Sequence, residues 1–188
     1  EEAAAVPEAF LTAFDALDLQ AGVRTGEAVL VPAAGSGVGT AACQIARSAG
    51  ATVIALSRSA DKRRRLTELG VDSVLDGADP AVGEAILSRA PRGVDIVLDL
   101  VGAALWPLYL DALAPRGRLI VVGTMGGAEA GVDLSRIMRK RLVVIGTVLR
   151  GRPLEEKIAV TQAFGRRLLP RLADGSVRPV ADRVLPRE

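Results

Sequence analysis

Hydrophobic and polar positions along the chain follow two alternating spacings, which predict helices and strands in turn. Across residues 6–21 the apolar residues recur at helical intervals and predict a helix. Residues 27–33 form a short apolar run of strand type that ends in a cluster of glycines. Helical spacing resumes after the cluster and continues to Gly50, a residue suited to cap a helix. The chain therefore opens with a helix, a strand, a glycine turn and a second helix.

The same alternation continues along the rest of the chain. Further strands are predicted at residues 52–56, 73–75, 94–99, 118–123, 142–148 and 179–184. Further helices are predicted at residues 60–69, 80–89, 105–113 and 154–172. Strands that alternate with helices form parallel sheets through right-handed crossovers, which cover both faces of the sheet. We therefore expect an α/β fold: a doubly wound parallel sheet of about six strands with helices on both faces.

The composition fits one soluble globular domain. Its 188 residues are 49% hydrophobic and 24% charged, which is enough apolar surface for one core. No apolar stretch approaches the roughly 18 residues that span a bilayer, and the first residues lack the basic region of a signal peptide. We expect a cytoplasmic location and no membrane partner.

Charge and residue types argue against two kinds of site. A net charge of +2, with 3% aromatic residues and no basic stripe interleaved with aromatics, argues against a nucleic-acid partner. The chain has no histidine and one cysteine, Cys43, so the usual nitrogen and sulfur ligands of zinc are missing. We expect no metal site and interpret Cys43 as a small packed side chain.

The main chemical signal is the glycine cluster between the first strand and the second helix. Residues 33–40 read AAGSGVGT. Glycines at the start of a helix let backbone N–H groups approach a pyrophosphate, whose negative charge the helix dipole favours. The spacing departs from G-x-G-x-x-G, because counting back from Gly39 places Ala34 and Ser36 at the first two glycine positions. Such a turn alone can be merely structural, but its place between a strand and a helix favours dinucleotide binding.

Residues after the second predicted strand indicate which dinucleotide binds. An NAD-preferring site carries an acid about 20 residues beyond the glycine turn, where it accepts hydrogen bonds from the ribose hydroxyls. Here that position is Ser57, and Arg58 and Lys62 follow it. A hydroxyl and two cations suit the 2′-phosphate of NADP(H). The alternative is a solvated helix face that also includes Arg63-Arg64-Arg65. We adopt it for most of the triple arginine, but not for Ser57 and Arg58.

Five segments carry a family resemblance: PEAFLTA (7–13), AAGSGVGTAA (33–42), LGVD (69–72), LDLVG (98–102) and GRLIVVG (117–123). They resemble the zinc-independent, zeta-crystallin-like quinone oxidoreductases of the medium-chain dehydrogenase/reductase superfamily. The resemblance implies a Rossmann NAD(P)-binding domain over residues 1–188. Residues 1–24 would lead in from an N-terminal GroES-like catalytic domain, which is missing here. We therefore expect this fragment alone to be inactive.

The resemblance also implies roles along the cofactor. It places the pyrophosphate at Ala34, Gly35, Ser36, Gly37, Val38 and Gly39. It places the adenosine end at Ser57, Arg58 and Lys62, and the ribose side of the cleft at Val101 and Gly102. It places the nicotinamide end at Thr12, Gly123, Thr124, Met125, Leu149 and Arg150. It further implies a homodimer through the apolar edge strand Leu142–Val148, which pairing would protect from aggregation.

The activity expected from these residues is NADPH-dependent reduction of a quinone or an activated enone, a small-molecule substrate. We assign no catalytic side chain, because Asp95, Asp99 and Tyr109 occupy positions typical of structural residues. Hydride transfer is compatible with this, since the cofactor holds the reactive atom. Two alternatives stay open: an enoyl-reductase module of a polyketide or fatty-acid synthase, and a non-catalytic NADP-binding module with a redox-sensing or structural role. The residues that select the substrate would lie mostly in the missing domain.

Overall fold

The structure of the protein is a computed structural model that describes residues 2–181. In that range the strands are β1 (Ala28–Val31), β2 (Thr52–Ser57), β3 (Ser73–Asp76), β4 (Val94–Asp99), β5 (Leu113–Val121) and β6 (Val143–Gly146). The helices are α1 (Pro7–Phe14), α2 (Gly37–Ser48), α3 (Ala60–Glu68), α4 (Val82–Arg89), α5 (Trp106–Ala112), α6 (Leu134–Lys140), α7 (Leu154–Arg167) and α8 (Leu169–Ala173). Short 3-10 turns at Glu2–Ala5 and Ala103–Leu105 precede α1 and α5, and a π-helical segment, Asp15–Gln20, extends α1.

The six strands form one parallel sheet in the order β3-β2-β1-β4-β5-β6. The order reverses between β1 and β4, so the loops that follow these two strands diverge to opposite sides of the sheet. Open α/β sheets bind ligands in the crevice at such a switch point. The expected doubly wound fold of six parallel strands is confirmed.

Both faces of the sheet are covered, which explains the continuous apolar runs of the strands. Val29 and Val31 of β1 pack on one face, in the cluster that contains α1, α2 and the apolar side of α7. Leu30 points to the other face and packs with Ile86 of α4 and Tyr109 of α5. Neighbouring residues of β1 are thus buried on opposite faces.

Several predicted elements need correction. The sixth strand, predicted at Leu142–Val148, spans Val143–Gly146, because only these four residues pair with β5. The fifth strand begins at Leu113, because a backbone irregularity at Arg116, with φ of 66°, is accommodated inside it, and it ends at Val121. The helix predicted at 154–172 is interrupted at Leu168, since Pro170 cannot donate the amide hydrogen bond that a continuous helix needs. Helix α6 was not predicted, because no buried residue marks an apolar face on it.

The last predicted strand, at residues 179–184, falls partly outside the described residues. Residues 179–181 are not in a strand. Among the helices of residues 2–181, none combines the length and apolar character needed to cross a membrane.

Candidate functional site

A cleft of about 670 Å³ opens at the carboxyl ends of the strands, where the sheet order reverses. The loops after the first five strands contribute its lining: Pro32, Ala33, Gly35, Ser36, Leu56, Ser57, Arg58, Ser59, Lys62, Gly77, Leu100, Val101, Ala104, Leu105, Met125 and Gly126. A second cavity, of about 360 Å³, lies between α2 and residues 175–178 and contains none of the predicted cofactor residues. The cleft therefore gathers residues from four of the regions that the sequence predicted: the glycine turn, the end of β2, the loop after β4 and the loop after β5.

The glycine turn after β1 leads into the start of α2, where backbone amides are suited to bind an anion. Ser36 is the N-cap residue, with extended backbone angles of −88° and 167°, and its hydroxyl accepts a hydrogen bond from the Gly39 amide at 3.1 Å. The amides of Gly37 and Val38 belong to the first turn of the helix, where no intrahelical acceptor exists. Together with the helix dipole, these amides form a site for negative charge.

Two glycines of this turn are required by close packing. A Cβ on Gly39 would lie 2.6 Å from the Ala33 carbonyl oxygen and 2.7 Å from Ala34 Cα. A Cβ on Gly35 would lie 2.6 Å from Cδ of Lys62, whose aliphatic stem crosses the turn. The amide of the buried Ala34 donates to the Leu56 carbonyl at 3.0 Å, which ties the turn to the end of β2. The turn and Lys62 are thereby held side by side.

The end of β2 supplies the hydroxyl and cations that the sequence predicted there. Ser57 is buried and ends β2, whereas Arg58 and Lys62 are exposed at the cleft. Ser59 caps α3 by accepting from the Lys62 amide at 3.4 Å. In the described part of the chain, the cleft lining at this point contains no carboxylate side chain. The local charge is accordingly positive, which suits a phosphate.

Asp99 organises the turn after β4. Its carboxylate is fully buried and accepts from four donors: the Val101 amide at 2.9 Å, the Gly102 amide at 2.7 Å, Trp106 Nε1 at 3.0 Å and the Tyr109 hydroxyl at 3.1 Å. Burial, and then the charge of Asp99, raises the pKa of Tyr109 far above its ordinary value, so the hydroxyl remains a donor. Asp99 is thus a structural residue, as its place at a strand end suggested, and it fixes the cleft wall at Val101.

The turns after β4 and β5 bind each other through their backbones. Gly126 donates to the Val101 carbonyl at 2.6 Å, and Ala103 donates to the Gly127 carbonyl at 2.9 Å. Gly102 adopts φ of 95° and ψ of −154°, a conformation open essentially to glycine alone, and a Cβ there would lie 2.5 Å from the Gly127 oxygen. Of the three residues predicted in the β5 turn, Met125 lines the cleft, while Gly123 and Thr124 pack behind it against residues 100–102.

Several predicted residues lie outside the cleft lining. Ala34, Gly37, Val38, Gly39 and Gly102 are next to lining residues in the turns after β1 and β4, whereas Thr12, Leu149 and Arg150 come from other segments. Thr12 is half-buried on α1, Leu149 is half-buried and Arg150 is exposed on the loop after β6. A buried network that the sequence did not reveal holds these two segments together. Arg152 donates to both oxygens of Asp15, at 2.9 and 2.7 Å, and the Thr147 hydroxyl donates to Asp15 at 2.7 Å. No local pattern indicates this contact, since its partners lie more than 130 residues apart.

The single cysteine is a core residue. Burial raises the pKa of the Cys43 thiol to about 12, so the reactive thiolate is suppressed at neutral pH. Among residues 2–181, no group of three or more histidine, cysteine or acidic side chains is placed to hold a metal ion.

Three features together define a Rossmann domain of the NADP-binding type. They are the order of the strands, the glycine turn, and a serine, Ser57, at the position where an NAD-binding site has an acid. Residues 37–164 match the family model described as zinc-binding dehydrogenase. Prostaglandin reductase-3 of Bos taurus is 39% identical over 126 residues, which cover 67% of this chain and 33% of that protein. The crystal structure of the quinone oxidoreductase from Thermus thermophilus, also determined with NADPH, is 38% identical with a TM-score of 0.82, over 95% of this chain and 56% of that one. The crystal structure of CurK enoyl reductase is 30% identical with a TM-score of 0.84, over 99% of this chain and 55% of that one.

The chain belongs to the zinc-binding dehydrogenase family, and it is the NADP(H)-binding domain of a medium-chain dehydrogenase/reductase in the zinc-independent, quinone-oxidoreductase-like branch. The resemblance seen in the sequence is confirmed. The chain spans 33% of the bovine reductase and about half of the two crystallised proteins, at 56% and 55%.

Proposed function

We propose that this chain is the cofactor-binding domain of an oxidoreductase that transfers hydride from NADPH to a quinone or an activated enone. The observation that carries the proposal is the cleft itself, which joins a helix N-terminus with free amides to a hydroxyl and two cations at the end of β2. The likeness to the Thermus thermophilus quinone oxidoreductase supports the quinone as substrate.

The pyrophosphate would lie against the glycine turn, from Ala34 to Gly39. The amides of Gly37 and Val38 would donate to its oxygens, while the packing of Gly35 and Gly39 and the Ser36 cap would hold the turn in place. Ser57, Arg58 and Lys62 would hold the 2′-phosphate through charge-assisted hydrogen bonds. The aliphatic stem of Lys62 lies against Gly35, so its ammonium group would be close to both phosphate positions.

The nicotinamide half would extend towards the turns after β4 and β5. Val101 and Gly102 would line its ribose, and Gly123, Thr124 and Met125 would flank the ring. Thr12, Leu149 and Arg150 would complete this end, because the Asp15–Arg152 pair fastens the loop after β6 onto the N-terminal helix.

NADPH supplies the hydride when bound, and the residues of this chain bind and orient it. Asp99 is buried and hydrogen-bonded to four donors of this chain, which supports a structural role for it. We infer that the substrate pocket and any proton donor belong to a GroES-like domain preceding residues 1–24. The chain of residues 1–188 is therefore expected to bind NADPH but to reduce quinones negligibly, and robust steady-state turnover by these residues would contradict this.

Titration of the chain with NADPH and NADH, followed by nicotinamide fluorescence, tests the cofactor assignment. We expect NADPH to bind at least about tenfold more tightly, from the charge-assisted hydrogen bonds to the 2′-phosphate. The variant Ser57→Asp is expected to reverse the preference, since it restores the acid that binds ribose hydroxyls. Equal affinities, or tighter binding of NADH to the native chain, would refute the assignment.

An enoyl-reductase module is the second candidate, favoured by the match to CurK enoyl reductase over 99% of this chain. Activity assays on the full-length protein that contains these residues distinguish the enoyl reductase from the quinone oxidoreductase. Reduction of a 2-enoyl thioester with much higher kcat/KM than any quinone would establish the enoyl reductase, and the opposite ranking would establish the quinone enzyme.

We further propose a homodimer through the segment Leu142–Val148, which contains the edge strand β6. Val143 and Val144 of β6 are 47% and 40% exposed, and Val148, which follows the strand, is 64% exposed. Exposed apolar edge strands are sites of pairing between chains. Sedimentation equilibrium should show a dimer that Val144→Lys dissociates, and a native monomer at micromolar concentration would contradict it.

Fractionation of cells would test the expected cytoplasmic location.

A further inference from the structure

Arg63 differs from the two arginines that follow it on α3. Arg64 forms ion pairs with Asp61 at 2.7 Å and Glu68 at 2.6 Å, and Arg65 pairs with Asp61 at 2.9 Å, all on the solvent side of one helix. Arg63 turns back to the sheet. Its Nη1 donates to the Ser57 carbonyl at 2.9 Å and lies 3.0 Å from Asp76 Oδ2, and its side chain is 26% exposed against 62% for Arg64.

Asp76 lies at the adenosine end of the cleft. It is the last residue of β3 and is in register with Ser57, the last residue of β2. The next residue, Gly77, lines the cleft, and a Cβ there would lie 3.8 Å from Arg58 Cγ. A carboxylate therefore stands one strand away from the position where an acid would favour NAD over NADP.

We propose that Arg63 is a specificity-determining residue, which neutralises Asp76 and so keeps the end of β2 positive enough to prefer a 2′-phosphate. The inference rests on the proposed site at Ser57, Arg58 and Lys62 and extends it. Arg63 acts through Asp76 and the Ser57 carbonyl, so it is a positioning residue that need not touch the cofactor.

Electrostatics gives the direction and size of the effect. With Arg63 in place, the Asp76 carboxylate is paired, and Arg58 and Lys62 dominate the field at the cleft. Without Arg63, Asp76 would keep the Ala78 amide as a donor, but its negative charge would have no counter-ion and would repel a phosphate carrying almost two negative charges. In a mostly aqueous dielectric, this repulsion between one charge and almost two weakens binding roughly fivefold. The affinity for a ligand without the 2′-phosphate would change little.

The test compares 2′,5′-ADP with 5′-AMP, two probes of the adenosine end that differ in that phosphate. Their affinities are measured by calorimetry for the native chain, Arg63→Gln, Asp76→Asn and the double variant. Arg64→Gln is the matched control, because it removes the same charge from the next residue of the same helix. We expect Arg63→Gln to weaken binding of 2′,5′-ADP roughly fivefold and of 5′-AMP less than about twofold, with Arg64→Gln changing both less than about twofold. The double variant is expected to recover most of the loss.

Several results would overturn the inference. The first is an equal loss of 2′,5′-ADP affinity in Arg63→Gln and Arg64→Gln. The second is an equal loss of affinity for both probes in Arg63→Gln, and the third is no recovery of 2′,5′-ADP affinity in the double variant. Asp76→Asn retains Arg63 and is expected to bind 2′,5′-ADP at least as tightly as the native chain, so weaker binding would also overturn it, even if Arg63→Gln fails to fold. A native chain that binds 5′-AMP and 2′,5′-ADP equally would instead refute the proposed NADPH site itself.

Discussion

Replacing Asp99 with asparagine is a sharp test of how the turn after β4 is built. Oδ1 of Asp99 accepts from the Val101 and Gly102 amides and from the Tyr109 hydroxyl, and Oδ2 accepts from Trp106 Nε1. An asparagine has one carbonyl oxygen and one NH₂ group. In either orientation, the NH₂ group of the asparagine side chain would face at least one other hydrogen-bond donor at a fully buried position.

The cost follows from these contacts. The better orientation keeps three acceptor contacts and loses the one to Trp106, and a hydrogen bond to a charged group contributes about 1.5–3 kcal/mol. The other three weaken as the negative charge disappears. We therefore expect Asp99→Asn to lower the free energy of unfolding by about 3 kcal/mol and the Tm by roughly 6–12 °C for a chain of this size. Tyr109→Phe removes one donor and should cost about 1–2 kcal/mol.

Urea unfolding followed by far-UV circular dichroism measures both variants. Trp106 is the single tryptophan, so its fluorescence reports on the same carboxylate as a second probe. Because Asp99 holds the cleft wall at Val101, Asp99→Asn should also weaken NADPH binding. A change in unfolding free energy below about 0.5 kcal/mol would refute the assignment of Asp99 as the hub of this turn.

Three further predictions concern the turn, the buried ion pair and the thiol. Gly39→Ala places a Cβ 2.6 Å from a backbone oxygen and should weaken NADPH binding at least about tenfold, whereas Gly165→Ala, in helix α7 with its nearest neighbour at 3.8 Å, should leave binding unchanged. Arg152→Gln leaves the buried Asp15 carboxylate without its counter-ion and should cost about 3–5 kcal/mol of unfolding free energy; a loss below about 1 kcal/mol would contradict this. Burial raises the pKa of Cys43 from 9.0 to about 12, so its contribution to stability is complete below pH 9 and is lost as the pH rises through about 12. The native thiol should react with a disulfide reagent at pH 8 only after urea is added, and rapid reaction of the folded chain would argue against burial.

Local patterns predicted the architecture because each βα unit is specified by adjacent residues. The strand Val94–Asp99 was predicted to the residue, since a continuous apolar run marks a strand buried on both faces. The glycine turn was likewise visible, because its close packing requires small residues between a strand and a helix.

Long-range contacts were not predictable in this way. The sequence shows three arginines in a row, and nothing in that run distinguishes Arg63, which turns to the sheet, from Arg64, which faces solvent. The Asp15–Arg152 pair joins residues far apart in the chain, so it exists only once the N-terminal helix packs near β6. Asp99 could be placed at a strand end, but its four donors come from a turn and a helix whose positions the fold alone determines.

We propose that amides at the start of α2 hold a diphosphate while the end of β2 holds a further phosphate. A crystal structure of this chain grown with NADPH tests this directly. We expect the diphosphate at the amides of Gly37 and Val38, and the 2′-phosphate beside Ser57 and Arg58. A saturated complex with the cofactor bound elsewhere, or with the cleft closed by protein, would contradict it.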